Sequence, residues 1–308
     1  MRKTALLAAL AIALATILHA VPAQAQRVFV SGVGSDSNPC TVAAPCRSFQ
    51  QAHNTAPANG EIDVLDPAGY GPLTITKPIS IQAHGFGGIT AGSGANAITI
   101  NTSSNVNLNG LLIDGAGVGA DGILVSNANL VTIANCVVRN FAKNGIEDPG
   151  ATLLTVVNTI ASDNGYNGAN YSGIYIYNSS GVVISAALTG VTATGNGANG
   201  IVVQGNVYAT VFSSNASNNS TVGILAQSTN GYGATVMVRD TVASNNFNDG
   251  FEAQTSAQLI LAHSVASGNF GGVYVNGGTV NTYKDNHIYG NLNGADVIGG
   301  SLTPVTAD

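Results

Sequence analysis

The chain has 308 residues and a formal net charge of −6, with only 8% charged residues against 45% hydrophobic ones. The acidic balance makes nucleic acid a poor partner, because binding to phosphates needs clustered Lys and Arg. The hydrophobic content argues against disorder despite the 39 Gly residues, since regularly spaced apolar side chains can bury enough surface to offset chain entropy.

The first 25 residues have the pattern of a secretory signal peptide. Arg2 and Lys3 precede an Ala- and Leu-rich run, and residues 23–25 form a small-x-small cleavage site. The mature chain would begin near Gln26, with 7 basic against 15 acidic residues. No later run reaches the roughly 18 apolar residues that a membrane span needs. We therefore expect export to the periplasm or the extracellular space, without membrane insertion.

Residues 26–60 differ from the rest of the chain and predict an N-terminal cap. Residues 27–31 are typical of a short strand, and residues 47–55 have helical spacing, with Phe49 and Ala52 on one face. Such a segment is needed where stacked coils would otherwise expose an apolar end and open strand edges.

The cap contains two of the three Cys residues. Cys40 and Cys46 lie six residues apart, and in an exported protein this spacing favours a disulfide that closes a short loop. A metal pair is the alternative. Cys136 lies in an apolar strand-like segment and is expected to be a small buried hydrophobic residue.

From residue 61 to residue 308 the sequence predicts a solenoid. A pattern Ala-[Ser/Thr]-x-Asn occurs five times, and each copy is followed within a few residues by a Gly and a hydrophobic residue. The Gly-hydrophobe pairs recur every 22 to 28 residues from Gly122 to Gly272. Between them we place short strands of three to five residues, three per coil. This organisation predicts an all-β chain of about nine or ten stacked coils with parallel pairing.

The repeated residues have structural roles in such a stack. The Ala is expected to pack in a narrow part of the interior, and the Gly to occupy a turn with positive φ. The Asn is expected to hydrogen-bond with the equivalent Asn of the coils above and below. The five motif copies are at residues 161–164, 193–196, 216–219, 243–246 and 266–269.

The sequence also resembles a known superfamily. The coil pattern, together with the segments at residues 35–40, 45–53 and 60–70, is similar to that of secreted right-handed parallel β-helix proteins of the pectate-lyase-like superfamily. The resemblance implies a right-handed β-helix. It also implies one of several functions, because the superfamily contains polysaccharide lyases, hydrolases, esterases, epimerases and members without known activity.

In the enzymes of this superfamily the substrate cleft follows the outer face of the first strand ladder. The outward positions predicted for that face run through Glu147, Tyr175, Val202, Leu225 and Glu252, and a second outward row lies two residues further on. The proposed binding residues for a polysaccharide are Tyr175, Tyr177, Gln204, Gln227, Gln254 and Asn276. An ordinary polar face stabilised by ladders of like side chains is the alternative.

Ionisable residues cluster between residues 114 and 148. A lyase acting on uronic acids needs a base and a cation that neutralises the substrate carboxylate, often Ca²⁺. Arg139 or Lys143 could be the base, with Asp114, Asp121 and Glu147 as calcium ligands. The alternative interpretation is solvated loop charge, including a turn at residues 148–150.

Two functional hypotheses follow. The segment at residues 112–115 lacks the Trp and the His of the corresponding pectate-lyase motif, and polygalacturonase motifs are absent from the sequence. The first hypothesis is therefore an exported protein without catalytic activity or cofactor, which binds a glycan or serves as a structural module. The second is a Ca²⁺-dependent lyase of acidic polysaccharide. The oligomeric state is open at this stage.

Overall fold

The computed structural model describes residues 26–166, 171–293 and 296–306. These residues form a parallel β-helix of about nine turns, which confirms the predicted fold class. The predicted signal peptide at residues 1–25 lies outside the described residues. None of the helical segments in the described part of the chain has the length and hydropathy of a membrane span.

The strands stack into three ladders, and every strand pairs in parallel with its equivalent in the next coil. The first ladder, which carries the outer face of interest, consists of Leu73–Ile75, Ile98–Asn101, the first part of Ile123–Ala134, Ile146–Asp148, Ile174–Asn178, Ile201–Gly205, Ile224–Thr229, Asp249–Gln254, Gly271–Asn276 and Val297–Ile298.

The second ladder begins at the N-terminus of the described chain. Its strands are Arg27–Val30, Gly60–Val64, the first part of Ile79–Thr90, the first part of Asn105–Asp114, the second part of Ile123–Ala134, Ala151–Val157, Ile184–Thr189, Val207–Phe212, Thr235–Arg239, Gln258–Ala262, Thr279–Thr282 and Thr303–Pro304.

The third ladder is shorter in each coil. It comprises Ala68–Gly69, the second parts of Ile79–Thr90 and Asn105–Asp114, Val137–Arg139, Ile160–Ser162, Thr192–Thr194, Val265–Ala266 and His287–Ile288. One additional strand, Tyr232–Gly233, pairs antiparallel with the end of Ile224–Thr229.

The N-terminal end is covered by a single helix, α1, at Phe49–Thr55. The Ser48 side chain accepts from the backbone N of Gln51 and so caps the helix. Phe49 and Ala52 are fully buried, as their spacing predicts, and a disulfide joins Cys40 to Cys46 in the preceding loop. Arg27–Val30 already belongs to the second ladder, and the predicted boundary after residue 60 falls inside Gly60–Val64, the strand that pairs with it.

The repeated Asn residues form a buried ladder, which confirms that prediction. In Asn219, Oδ1 accepts from the backbone N (3.2 Å) and Nδ2 (2.9 Å) of Asn196, while Nδ2 donates to Oδ1 of Asn246 (3.0 Å) and to the carbonyl of Ala193 (3.1 Å). The same pattern recurs through every coil from Asn164 to the C-terminal end, where Oδ1 of Asp296 accepts the last pair of bonds. Each amide therefore satisfies its own donors and acceptors inside the rod.

The prediction for the repeated Gly was wrong. None of the seven Gly residues from Gly122 to Gly272 that precede first-ladder strands has a positive φ. They are required by close approach instead: a Cβ on Gly145 would lie 2.6 Å from the carbonyl O of Gly173 and 2.6 Å from Nδ2 of Asn164. The space taken by the Asn ladder leaves no room for a side chain at that level.

The left-handed turn lies one residue before each repeated Asn. This unspecified position of the motif has a positive φ in all five copies, at Asp163, Gly195, Asn218, Asn245 and Gly268. Asp, Asn and Gly are the residues that adopt this conformation most readily. The residue before each repeated Asn, and not the Gly of the Gly-hydrophobe pair, therefore predicts the left-handed turn.

The Asn ladder makes a testable contribution to stability. Asn219→Ala removes four side-chain hydrogen bonds and leaves buried polar groups of neighbouring coils unpaired, at about 1–3 kcal/mol for each such group. We expect a large decrease in the urea midpoint, equivalent to about 3 kcal/mol or more. Asn129→Ala is the matched control, because Asn129 is exposed and donates one bond to the exposed Asn105. Equal midpoints in the two variants would contradict a stabilising ladder.

Candidate functional site

The outer face of the first ladder has the register that the sequence predicts. Glu147 pairs with Tyr175, Tyr175 with Val202, Val202 with Leu225, Leu225 with Glu252, and Glu252 with Tyr274. In the second row Tyr177 pairs with Gln204, Gln204 with Gln227, and Gln254 with Asn276. The second row is irregular at its N-terminal end, where a register shift aligns Asn101 with Asn127 rather than with Ser126, which lies two residues after Leu124 of the first row.

This face contains a groove with a cavity volume of about 610 Å³. Its floor includes Tyr175, Val202, Leu225 and Glu252 from the first outward row. One wall is the amide row of the second outward position, and the opposite wall comes from the turns that lead into the strands. The wall residues are Gln204, Gln227 and Gln254 on one side, and Ser172, Ala198, Asn199, Thr221, Val222 and Asn248 on the other.

The floor of the groove contains two apolar residues that are buried. Val202 and Leu225 point outward but are only 3% and 6% exposed, because they pack with Val222 of the adjoining turn and with Tyr175. Two successive hydrophobic residues in the outward row, Val202 and Leu225, were the signal for a covered surface. They form a small packed cluster beneath the groove, whose accessible lining is mostly polar.

Two tyrosines lie at one end of the groove. The rings of Tyr175 and Tyr177 stack with centroids 4.6 Å apart and planes inclined by 18°. The hydroxyl of Tyr175 donates to Oε1 of Gln204, which ties the aromatic pair to the amide wall. Burial raises the pKa of Tyr175 to about 12, so its hydroxyl stays protonated and able to donate at neutral pH.

Beyond the tyrosines lies a pair of carboxyl groups. The structure confirms that Asp121 and Asn144 are neighbours in successive coils: Oδ1 of Asp121 accepts from the backbone N of Asn144 at 3.0 Å. Nδ2 of Asn144 donates to Oε2 of Glu147 at 2.8 Å, and the Tyr177 hydroxyl lies 3.5 Å from Oε1 of Glu147. Burial, followed by the charge of Glu147, raises the pKa of Asp121 to about 6, while Lys143 partly offsets this.

A second carboxyl pair closes the opposite end. Glu252, four coils from Glu147 and so roughly 19 Å away, is only 6% exposed, contrary to the exposed position expected for it. It is covered by two amides, since Oε1 accepts from Nε2 of Gln254 (3.1 Å) and Nδ2 of Asn276 (2.9 Å). Asp249 lies beside it, and burial, with Glu252 as a further cause, raises the pKa of Asp249 to about 6.

Two of the proposed catalytic and calcium-binding residues are elsewhere. Arg139 and Asp114 pair in the third ladder, where Nε of Arg139 lies 2.9 Å from Oδ2 of Asp114, and Asp114 also accepts from Asn140. No group of three or more His, Cys, Asp or Glu side chains suited to a metal ion occurs among the described residues. Asp114, Asp121 and Glu147 therefore do not fit a shared calcium site.

Asp148 is a buried charge rather than a solvated one, which corrects the interpretation of this segment as solvated loop charge. It occupies the inward position between Glu147 and Pro149 and is fully buried. Its Oδ1 accepts from the backbone N of Gly150 (3.0 Å) and Ala151 (2.7 Å), which forms the predicted turn, while Oδ2 has no partner among the described residues. Burial raises the pKa of Asp148 to about 6.

Comparison with protein families decides the classification. The family model described as "Right handed beta helix region" matches residues 96–187 and 167–307, more than half of the chain. The chain belongs to the right-handed β-helix family. No curated protein matches the β-helix chain in sequence.

Solved structures share the fold of this β-helix chain. A pectate lyase matches with a TM-score of 0.68 and 16% identity, over 83% of this chain and 74% of the lyase. A rhamnogalacturonan lyase matches with a TM-score of 0.59 and 16% identity, over 83% and 75%. The A-module of a mannuronan C-5 epimerase from Azotobacter vinelandii matches with a TM-score of 0.53 and 15% identity, over 81% and 89%. At these identities the likeness concerns the fold alone.

The buried carboxyls predict an unusual pH dependence of stability. Asp121, Asp148 and Asp249 have folded-state pKa values of about 6 against an ordinary 3.8, so the native state binds more protons than the unfolded state between about pH 4 and pH 6. The stabilisation that these three carboxyls contribute is fully present below about pH 4 and decreases as the pH rises through about 6. We expect a higher Tm at pH 4 than at pH 7.

Asp148→Asn isolates one of these contributions. Because it removes the buried charge, we expect it to stabilise the protein by roughly 1 to 3 kcal/mol at pH 7 and to change stability little at pH 4. Thermal unfolding of both proteins at the two pH values measures the difference. An unaltered pH dependence in the variant would exclude Asp148 as a source of it.

Proposed function

We propose that this β-helix protein is an exported, non-catalytic protein that binds a polysaccharide chain in the groove on its first ladder. The groove supports the proposal most directly, since a cavity of about 610 Å³ runs along successive coils with a mostly polar lining and a wall of aligned amides. Sugar rings present apolar faces edged by hydroxyl groups. The aligned amides suit the hydroxyl groups, and the stacked rings of Tyr175 and Tyr177 suit the apolar faces.

The repeat of the fold suits a repeating ligand. Gln204, Gln227 and Gln254 occupy the same position in three successive coils, so equivalent hydrogen-bonding groups recur along the groove at about 4.8 Å. The stacked Tyr175 and Tyr177 provide an aromatic surface at one end. A linear polymer lying along the coil-stacking direction would meet these groups in order.

The arrangement of charges favours binding without catalysis. Arg139, one candidate base, is engaged by Asp114 on another ladder, and Lys143, the other, is exposed beside the Asp121 and Glu147 pair rather than among the residues that line the groove. Export rests on the N-terminal sequence pattern at residues 1–25.

Mutation of the groove tests this proposal. Tyr177→Ala and Gln227→Ala should each weaken polysaccharide binding by several-fold to about tenfold, as expected for the loss of one stacking or hydrogen-bonding contact. Tyr208→Ala is the control, because Tyr208 is an exposed tyrosine of the second ladder. Affinity gel electrophoresis against a panel of polysaccharides provides the measurement. If both groove variants are retarded by the polysaccharide as strongly as the wild-type protein, this face is not the binding site.

The lyase hypothesis has a separate test. Eliminative cleavage of a uronic acid polymer leaves an unsaturated product that absorbs in the ultraviolet. Because Asp114 lies on the third ladder, away from Asp121 and Glu147, we expect no such product from pectate or alginate with Ca²⁺ present. Its appearance, and its loss in Lys143→Ala, would establish the lyase in place of the non-catalytic protein.

A further inference from the structure

The groove has a marked charge asymmetry. Among the described residues that line its cavity there is one carboxylate, Glu252, and no Lys, Arg or His. A second carboxyl, Asp249, is close enough for Glu252 to raise its pKa. At the opposite end Glu147 borders the aromatic pair. A ligand in this groove therefore meets negative charge without a nearby cation at the Glu252 end, whereas Lys143 lies near the carboxylates of the Glu147 end.

Asp249 lacks the partner that its position normally has. In several earlier coils, although not at Val222, the side chain of the residue before the strand Gly bonds to the next coil: Oδ1 of Asp121 accepts from the backbone N of Asn144, and Oδ1 of Asn199 accepts from the backbone N of Val222. After Asp249 the equivalent residue is Gly271, whose N–H donates to the carbonyl of Asn248 instead.

The result is a buried carboxyl oxygen without a donor. Asp249 is 5% exposed, and its Oδ1 has no hydrogen-bond partner among the described residues. Glu252 beside it is held by neutral amides alone, and no ion pair involving either carboxylate is present in the described part of the chain. Two buried carboxylates without a cation are unfavourable in the free protein, and a bound cation would relieve that.

We propose that the groove selects polysaccharides that carry amino groups, with an ammonium held by Glu252 at the end of the groove that Asp249 adjoins. This inference rests on the proposed function, because it requires a glycan in the groove. An ammonium offers three donors and a positive charge to the carboxylates, whereas an acetylated amine offers no charge and a uronate is repelled. The preferred class is thus an amino-sugar polymer, in contrast to the acidic polymer of the lyase hypothesis.

Three oligosaccharides of equal length test this selectivity. A chitosan oligomer is cationic, its fully N-acetylated counterpart is neutral, and an oligogalacturonate is anionic. Isothermal titration calorimetry at low salt should give the tightest binding for the chitosan oligomer, about tenfold or more weaker binding for the acetylated oligomer, and the weakest for the oligogalacturonate, since a charge-assisted hydrogen bond contributes more than a neutral one.

Variants separate local recognition from general attraction to an acidic protein. Glu252→Gln should weaken chitosan binding by about tenfold and leave binding of the acetylated oligomer nearly unchanged. Asp163→Asn, which removes the same charge from an exposed turn, is the control and should leave both unchanged. If Glu252→Gln does not fold, Asp249→Asn, which removes the adjoining charge, serves instead and should weaken chitosan binding while leaving binding of the acetylated oligomer nearly unchanged.

The outcomes distinguish this inference from the proposed function. Equal binding of the chitosan and acetylated oligomers, or equal losses in Glu252→Gln and Asp163→Asn, would overturn the amine selectivity while leaving a glycan-binding groove. Absence of binding to all three oligomers and to the panel of polysaccharides would contradict both the amine selectivity and the glycan-binding groove.

Discussion

The Asn ladder is the interaction on which the rest of the structure depends. Each repeated Asn joins its coil to the coils on both sides through its own four bonds, as at Asn219, and Asp296 completes the column at the C-terminal end. Because the amide fills the turn, the adjoining position must be Gly, as Gly145 shows, and the residue before the Asn must adopt a left-handed conformation. One buried hydrogen-bond column thereby sets the turn, the strand start and the register of the coils from Asn164 to the C-terminal end.

This constraint explains how a regular rod can carry a specific surface. With the register fixed at the turn, residues that follow each Gly by the same number of positions lie on one face, and the amides Gln204 and Gln227 come into line. The groove arises where the repeat is broken: Val202 and Leu225 replace polar outward residues, and Val222 of the turn covers them. The groove therefore depends on the residues that depart from the repeat, such as Val202, Leu225 and Val222, more than on the repeated residues themselves.

The same principle applies to charge. The carboxyl of Asp121 accepts a hydrogen bond from the backbone N of Asn144 in the next coil. The equivalent residue after Asp249 is Gly271, whose N–H donates to Asn248, so one oxygen of Asp249 has no partner among the described residues. Asp148 lies within the interior stack between apolar neighbours. Buried polar groups normally have partners. Those that do not are candidates for a pH-sensitive or ligand-binding role.

The sequence by itself determined the coil length, the interior Asn column, the capping helix and the outward row from Glu147 to Tyr274, because parallel stacking of equivalent residues turns a sequence period directly into spatial alignment. Only the tertiary structure decided which outward residues are covered, that Asp148 is buried, and that Arg139 belongs with Asp114 on another ladder. The period places residues along the rod. It does not say how the irregular turns fold over a face, and the turns are what control burial and charge at the groove.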